Sequence, residues 1–258
     1  MASSAKCDAC ADGIDPPFPF IMAFQPIVDV AAGSVWGYEA LVRGPEGQSA
    51  ASVLDQVVEE NQYSFDQSCR LKAIELAGRL FPADRKVRLS INFMPNAVYE
   101  PAACIRWSLA AAARAGLPSD QIVFEFTERE RIANPEHVRR IIDKYKELGF
   151  AVALDDFGSG YSGLSLLTSY QPQFLKIDMH LIRGLDADPR RRVIVGGTAR
   201  IARDLGIEVV AEGVETQAEL EALRDLGITL HQGYFFARPA LEALPVVPWL
   251  SEAGAGGG

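Results

Sequence analysis

One ending recurs along the chain. A helical stretch stops at a glycine, and a short link and an apolar run follow. It reads ARAGLP at 113–118, KELGF at 146–150, RDLGI at 203–207 and RDLGI again at 224–228. Glycine just past a helix is a stop signal, because it takes the left-handed conformation without a Cβ penalty. Strand-type runs are expected at Ile21–Val30, Val35–Val42, Arg88–Phe93, Ile122–Thr127, Ala151–Asp155, Phe174–Asp178, Glu208–Ala211 and Thr229–Phe235. Helical patterns lie between them near 51–80, 100–115, 135–148, 190–205 and 216–226. Near-continuous apolar strands alternating with helices are the pattern of a buried parallel sheet. Eight strands in about 235 residues match the size of a (β/α)8 TIM-type barrel. The first two strands are joined only by AAGS, which permits a hairpin but no parallel crossover. The fold class expected is therefore α/β, a modified (β/α)8 barrel with one antiparallel strand. A doubly wound open sheet is the alternative, and no GxGxxG or P-loop supports it.

The 258 residues are long enough to bury a large core without disulfides or a structural metal. No break in composition divides Phe18 from Leu250. Residues 1–17 read as a flexible N-terminal tail, 18–250 as one domain, and 251–258 as a flexible C-terminal tail. Four cysteines form no secreted-type framework, and the pair Cys7 and Cys10 has no second pair to complete a zinc site. With a net charge of −9, binding to a nucleic-acid polymer is not expected. No run of about 18 apolar residues and no hydrophobic signal core exists, so neither a membrane partner nor export is expected and the location expected is cytoplasmic.

The acids are oddly placed. Glu39, Glu125, Asp155, Asp156, Asp178 and Glu212 lie inside or at the C-terminal ends of apolar strands. A buried carboxylate is costly unless cations or donors compensate it. Taken one at a time each could be a helix cap or a loop residue. Together they gather at the barrel face where active sites form. Arg43 and Lys176 are the clear cations nearby, so divalent metals would fill the deficit. Glu39, Leu41 and Arg43 are spaced by two and share one face: a metal ligand, an apolar contact and a phosphate-reading arginine. Asn92 adds a neutral oxygen. Such hard donors suit Mg2+ or Mn2+ rather than zinc, and the three histidines offer no zinc pattern. Asp155 and Asp156 would face opposite ways in a straight strand, but the glycine loop after them lets the chain turn, so two ions could share a carboxylate. That loop could also be only a turn.

These residues carry a family resemblance. FQPIVD, YEALVRG, INF, FEFTE, DDFGSGYSGL, LKID, VVAEGVET and QGYFFARP occur in order from Phe24 to Pro239. The sequence resembles the EAL-domain family of cyclic di-GMP phosphodiesterases. The resemblance implies a modified barrel with one antiparallel strand and hydrolysis of cyclic di-GMP to linear pGpG. It implies two Mg2+ or Mn2+ ions, one on Glu39, Asn92, Glu125 and Asp155, the other on Asp155, Asp156 and Glu212. Lys176 would hold the attacking water or polarise a phosphate oxygen, and Gln232 would support that water. Gln25, Leu41 and Arg43 would contact the dinucleotide. Glu128 lies three residues after Glu125 and so faces away from it; it would anchor the glycine loop. A homodimer through the region of that loop is the expectation by resemblance. Ser159 and Gly163 depart mildly from the usual loop, and no sensor or GGDEF-type segment is seen. A silent cyclic di-GMP receptor is the second reading, although no cluster acid is missing. An enolase-type barrel is the third, but it would need a capping domain.

Overall fold

A computed structural model describes residues 16–83, 86–128, 134–160 and 163–253. Cys7, Cys10 and most of both tails lie outside the described residues. Eight strands close a barrel: β1 Ile21–Asp29, β2 Ser34–Arg43, β3 Arg88–Asn92, β4 Ile122–Thr127, β5 Ala151–Phe157, β6 Phe174–Ile177, β7 Glu208–Ala211 and β8 Leu230–Gln232. They run in chain order from β2 to β8, and β1 closes the ring between β8 and β2. β1 is antiparallel to both neighbours, while every pairing from β2 to β8 is parallel. This is the barrel the sequence implies, reversed at the strand whose link is too short for a crossover. A ninth strand, β9 (Ala240–Leu241), adds to β1 at Ala23 and Phe24.

The helices begin and end where the sequence signals them. α3 (Pro101–Ala115), α4 (Pro135–Glu147) and α7 (Pro189–Asp204) carry proline in the first turn, where a missing N–H costs nothing. Asn134 and Asp188 cap the last two through their side chains. α8 (Gln217–Asp225) opens on a capping box between Thr216 and Glu219. Gly116 and Gly149 follow α3 and α4 at φ 66° and 87°, as a helix stop requires.

Several boundaries move. The region 51–80 is two helices, α1 (Ala50–Leu54) and α2 (Gln62–Leu80). The last strand ends at Gln232 rather than Phe235, because the chain turns at Gly233. A Cβ on Gly233 would lie 2.1 Å from the Val214 carbonyl oxygen, so only glycine closes this corner. Three short helices, α5 (Gly163–Tyr170), α6 (Met179–Ile182) and α9 (Pro248–Ala253), are too brief to show a periodic stripe in sequence. α9 runs three residues past Leu250.

Side chains alternate across each strand, so residues two apart share a face. Ile27, Val123, Ala153, Phe174, Val210 and Leu230 pack together as an apolar floor inside the barrel. Two residues nearer the mouth on the same strands stand Gln25, Glu125, Asp155, Lys176 and Gln232. The interior is thus built in two layers, apolar below and charged above. The outer faces of the strands pack under the helices in a large core that includes Phe24, Phe124, Phe126, Ile141 and Leu154.

Candidate active site

The upper layer is organised around one ammonium. Lys176 is 1% exposed. Its Nζ donates to Glu39 Oε2 at 3.1 Å and to Glu125 Oε2 at 2.8 Å, and it pairs with Asp155 Oδ1 at 3.0 Å and Glu212 Oε1 at 2.8 Å. Glu39 is the best satisfied of the four acids. Asn92 Nδ2 donates to its Oε1 at 2.9 Å, and Gln232 Nε2 donates to its Oε2 at 2.8 Å. The second acceptor of that Gln232 amide is Gln25 Oε1 at 3.2 Å. Strand register explains the meeting. Gln25 is paired with Glu39, Asn92 with Glu125, and Thr127 with Asp155.

Four carboxylates against one ammonium leave a surplus of three negative charges if all are ionised. The group titrations reflect this. Burial pushes Glu125 up, and the neighbouring Glu39 and Asp155 add to it against the pull of Lys176, so that its pKa rises to about 8. Burial also raises Asp155, with Lys176 opposing and Glu39 adding. Burial and the Asp155 charge raise Glu212 well above its ordinary value. Glu39 goes the other way: burial penalises it, but Lys176 and the donors Gln232 and Asn92 outweigh that and hold it low. Burial works against the charge on Lys176, and the four acids outweigh it, so its pKa is raised well above the ordinary value. A site in this state takes up either protons or further cations.

Its donors suit divalent cations. One oxygen from each of Glu39, Glu125 and Asp155 lies within 4.8 Å of the others, and so does one from each of Asp155, Asp156 and Glu212. Asp155 belongs to both groups, and all donors are hard oxygens. Asp156 reaches the site because the chain turns at Asp156 itself, at φ 57°, where β5 and β6 slip register between Leu154 and Phe157. Aspartate is among the few residues that tolerate this conformation. The turn therefore precedes the glycines expected to supply it. Thr127 Oγ1 donates to Asp156 Oδ2 at 2.9 Å and fixes its aim.

Glu128 faces away from the cluster. Its carboxylate accepts from Gly158 N at 2.9 Å and Gly163 N at 2.7 Å, holding both sides of the glycine loop. Tyr161 and Ser162 of that loop lie outside the described residues. Leu41 lines two cavities of about 720 and 240 Å3 that open on either side of Glu39, Asp155 and Asp156. Gln25 lines the smaller one. Arg43 lines neither; its Nη1 donates to the Val42 carbonyl at 2.7 Å. Asp178 is the N-cap of α6, accepting from His180 N at 2.7 Å, and it also lines the smaller cavity.

Two arrangements have no counterpart in the sequence reading. Behind β3 and β4, Arg70 is fully buried, pairing with Asp66 at 2.6 Å and donating to Tyr145 Oη at 2.6 Å. The Asp66 carboxylate also accepts from Met94 N at 2.8 Å, two residues past Asn92. On the opposite rim, buried Glu219 accepts from Gly184 N at 2.8 Å, Glu215 N at 2.9 Å and Thr216 N at 3.1 Å. The T-x-x-E spacing of Thr216 and Glu219 is a signal that could have announced this second clamp.

Residues 19–239 match the EAL domain family, and the chain belongs to that family. A standalone versatile EAL protein from Vibrio cholerae O395, solved in a c-di-GMP bound form, is 50% identical, with a TM-score of 0.87 over 92% of this chain and 99% of that one. Klebsiella pneumoniae BlrP1, solved as a manganese/cy-diGMP complex at pH 6, is 39% identical with a TM-score of 0.83, over 92% of this chain and 60% of that one. Among curated relatives, the blue light- and temperature-regulated antirepressor BluF of Escherichia coli is 31% identical over 96% of this chain and 60% of its own length. The cyclic di-GMP phosphodiesterase NbdA of Pseudomonas aeruginosa is 31% identical over 84% of this chain and 28% of its own. The chain thus spans 60% and 28% of the lengths of these two curated relatives. Among the described residues, no helix is long and apolar enough to cross a membrane.

Proposed function

We propose that this chain is a divalent-metal-dependent phosphodiesterase that opens cyclic di-GMP to linear pGpG. The observation that carries the reading is the surplus of buried carboxylate around Lys176, with Asp155 shared between two groups of ligand oxygens. Glu39, Asn92, Glu125 and Asp155 would hold one ion, and Asp155, Asp156 and Glu212 a second, either Mg2+ or Mn2+. When bound, the ions supply Lewis-acid stabilisation of the charge that develops on the phosphoryl oxygens. Lys176 would then be released from part of its load and be free to hold the attacking water or polarise a phosphate oxygen. Gln232 Oε1 is buried and has no hydrogen-bond partner among the described residues, so it can accept from that water. Gln25 and Leu41 would bear on the dinucleotide, with Arg43 reaching a phosphate after leaving its own backbone. Glu128 would keep the glycine loop, and with it Asp156, in register.

Incubation with cyclic di-GMP and Mg2+, followed by chromatography, should yield pGpG. Ca2+ prefers longer bonds and more ligands than Mg2+. It should therefore support binding with little or no hydrolysis, and equal rates in the two metals would refute that assignment. BluF is named an antirepressor, which favours a second reading, a silent receptor. Binding without any product would select it.

A homodimer through the face beside the glycine loop also belongs to this proposal. Leu164 (59% exposed), Val193 (75%), Ile194 and Ile201 form an apolar patch there, around a shallow cavity of about 370 Å3 that Phe157 and Gly158 also line. Apolar surface of this kind is what a contact between two copies would cover. Sedimentation of the wild type and Val193→Asp should show a dimer and a monomer; a monomeric wild type would dismiss the dimer.

A further inference from the structure

The smaller cavity beside the carboxylates is lined by Asp155, Asp156, Asp178, Glu212 and Glu215. Among the described residues lining it or its larger neighbour, one is an arginine or lysine: Arg183. A ligand with two phosphates can leave one at the metal-binding acids. The other then faces an acid-lined wall, and like charges at short range repel unless a cation stands between them.

Arg183 is placed for this. It is the C-cap of α6, with its N–H on the Met179 carbonyl at 2.9 Å. Its own carbonyl accepts from Arg191 Nη1 at 2.6 Å, and the next N–H, of Gly184, is held by Glu219 at 2.8 Å. The same Glu219 carboxylate fixes the backbone of Glu215. One buried acid therefore sets the spacing of the two backbones, while their side chains remain at the surface. Arg183 Nη2 donates to Glu215 Oε1 at 2.5 Å, with the two side chains 48% and 41% exposed. An ion pair this exposed holds weakly. A phosphate offers the guanidinium a bidentate partner with more charge than a carboxylate. Fixed backbone, cheap release and a stronger partner are what a pre-positioned anion contact needs.

We propose that Arg183 binds the phosphate of the cyclic dinucleotide that is not held at the carboxylate cluster, and that Glu215 holds Arg183 in place until the ligand arrives. The inference rests on the cyclic di-GMP reading above and names a residue of the same site that the motif does not contain.

The test uses the full chain as wild type, Arg183→Gln, Arg183→Lys and Glu215→Gln. Dissociation constants for cyclic di-GMP are measured in Ca2+, and kcat and KM in Mg2+. Arg183→Gln should raise both Kd and KM about ten-fold, with most of the effect in KM rather than kcat. Arg183→Lys should recover part of the loss. Glu215→Gln should lower Kd two- to five-fold by freeing the guanidinium. The ratio of cyclic di-GMP to bis(p-nitrophenyl) phosphate hydrolysis should fall about ten-fold in Arg183→Gln, because the small diester has no second phosphate. Unchanged Kd and KM in Arg183→Gln would overturn the proposal. So would an equal rise in Kd for Glu215→Gln, which would make the pair a structural strut. Wild type that binds but does not hydrolyse would sink the hydrolase reading alone, and the Kd comparison would still decide Arg183. Wild type that binds no cyclic di-GMP would overturn both.

Discussion

Two buried charge sites lie a few residues apart and follow opposite rules. Behind β3 and β4, one arginine meets one aspartate: Arg70 and Asp66 pair at 2.6 Å, and the guanidinium lies 5.2 and 5.3 Å from the ring centres of Phe93 and Phe124. One acid against one base leaves no net formal charge; Tyr145 Oη and Met94 N take further polar capacity of the pair, and aromatic faces cover the guanidinium while Asp66 lines the larger cavity. At the barrel mouth one lysine meets four carboxylates, and two cavities open beside them. Each site carries a desolvation cost. The first is balanced in charge by its own partners, although burial still pushes the Asp66 carboxyl above its ordinary value against the pull of Arg70. The second remains short of positive charge, and the shortage is what makes it a candidate for chemistry. Burial of charge alone does not mark function; unbalanced burial does.

The comparison breaks most easily at Arg70. Arg70→Ala strands Asp66 without its cation and opens a void among rings, and should cost about 3–5 kcal/mol of folding stability. Chemical denaturation would read this as a lower midpoint with an unchanged slope. A cost below about 1 kcal/mol would mean that the balanced pair does not support the fold. Glu39→Ala removes one of the four carboxylates at the mouth instead. Its stability should change by no more than about 1 kcal/mol, while turnover of cyclic di-GMP falls by about 10^3 or more, roughly 4 kcal/mol of barrier. Substantial turnover in this variant would remove Glu39 from the metal site.

Glu128 sharpens the contrast, because it belongs to neither site. It spends its charge on two backbone N–H groups of the glycine loop. Glu128→Ala should cost about 10- to 100-fold in rate and raise the half-saturating Mg2+, since small misplacements of reacting groups are expensive. Magnesium titrations that superimpose on wild type would reduce Glu128 to a loop residue with no bearing on rate.

The smallest effect is in the pH dependence of the metal-free protein. Glu125 is raised to about 8 in the folded state, from an unfolded value near 4.5. Between these values the folded state binds the extra proton. Stability from this group is full below about pH 4.5 and is lost as pH rises toward 8, an effect on the order of 1–2 kcal/mol after allowance for coupling to Lys176. Thermal unfolding without metal at pH 6 and pH 8.5 should show the loss, and Glu125→Gln should flatten it. An unchanged slope in Glu125→Gln would assign the titration elsewhere in the cluster.

The mouth was more legible than its surroundings for a physical reason. A carboxylate inside an apolar strand stands out against alternation, and parity then says which way it faces. That reasoning brought Glu39, Glu125, Asp155 and Lys176 to one place, and it turned Glu128 away. It could not follow side chains to their ends. Arg43 shares its parity with Glu39, yet its guanidinium folds back on the Val42 carbonyl. Asp66 and Arg70 are spaced i, i+4 in a helix, which in sequence looks like an ordinary solvent-facing pair. Their burial is decided by Tyr145, seventy-five residues later. The DDFG segment reads in sequence as a turn at its glycines, whereas the first residue with positive φ is Asp156. Short helices such as α5 and α6 follow from tertiary packing and a single cap rather than from a periodic stripe.

The reversal of β1 also decides on which side the polypeptide enters the barrel. In an all-parallel barrel the first strand starts at the end away from the mouth. Here Ile21 sits opposite Arg43, at the mouth end of β2, and Asp29 sits opposite Ser34 at the far end. The chain therefore enters β1 on the mouth side, beside Met22, which lines the larger cavity. Three residues further along the same strand is Gln25, whose side chain touches Gln232, itself bonded to Glu39. A load applied to the polypeptide before β1 would have the length of one short strand to travel before it met the carboxylate cluster.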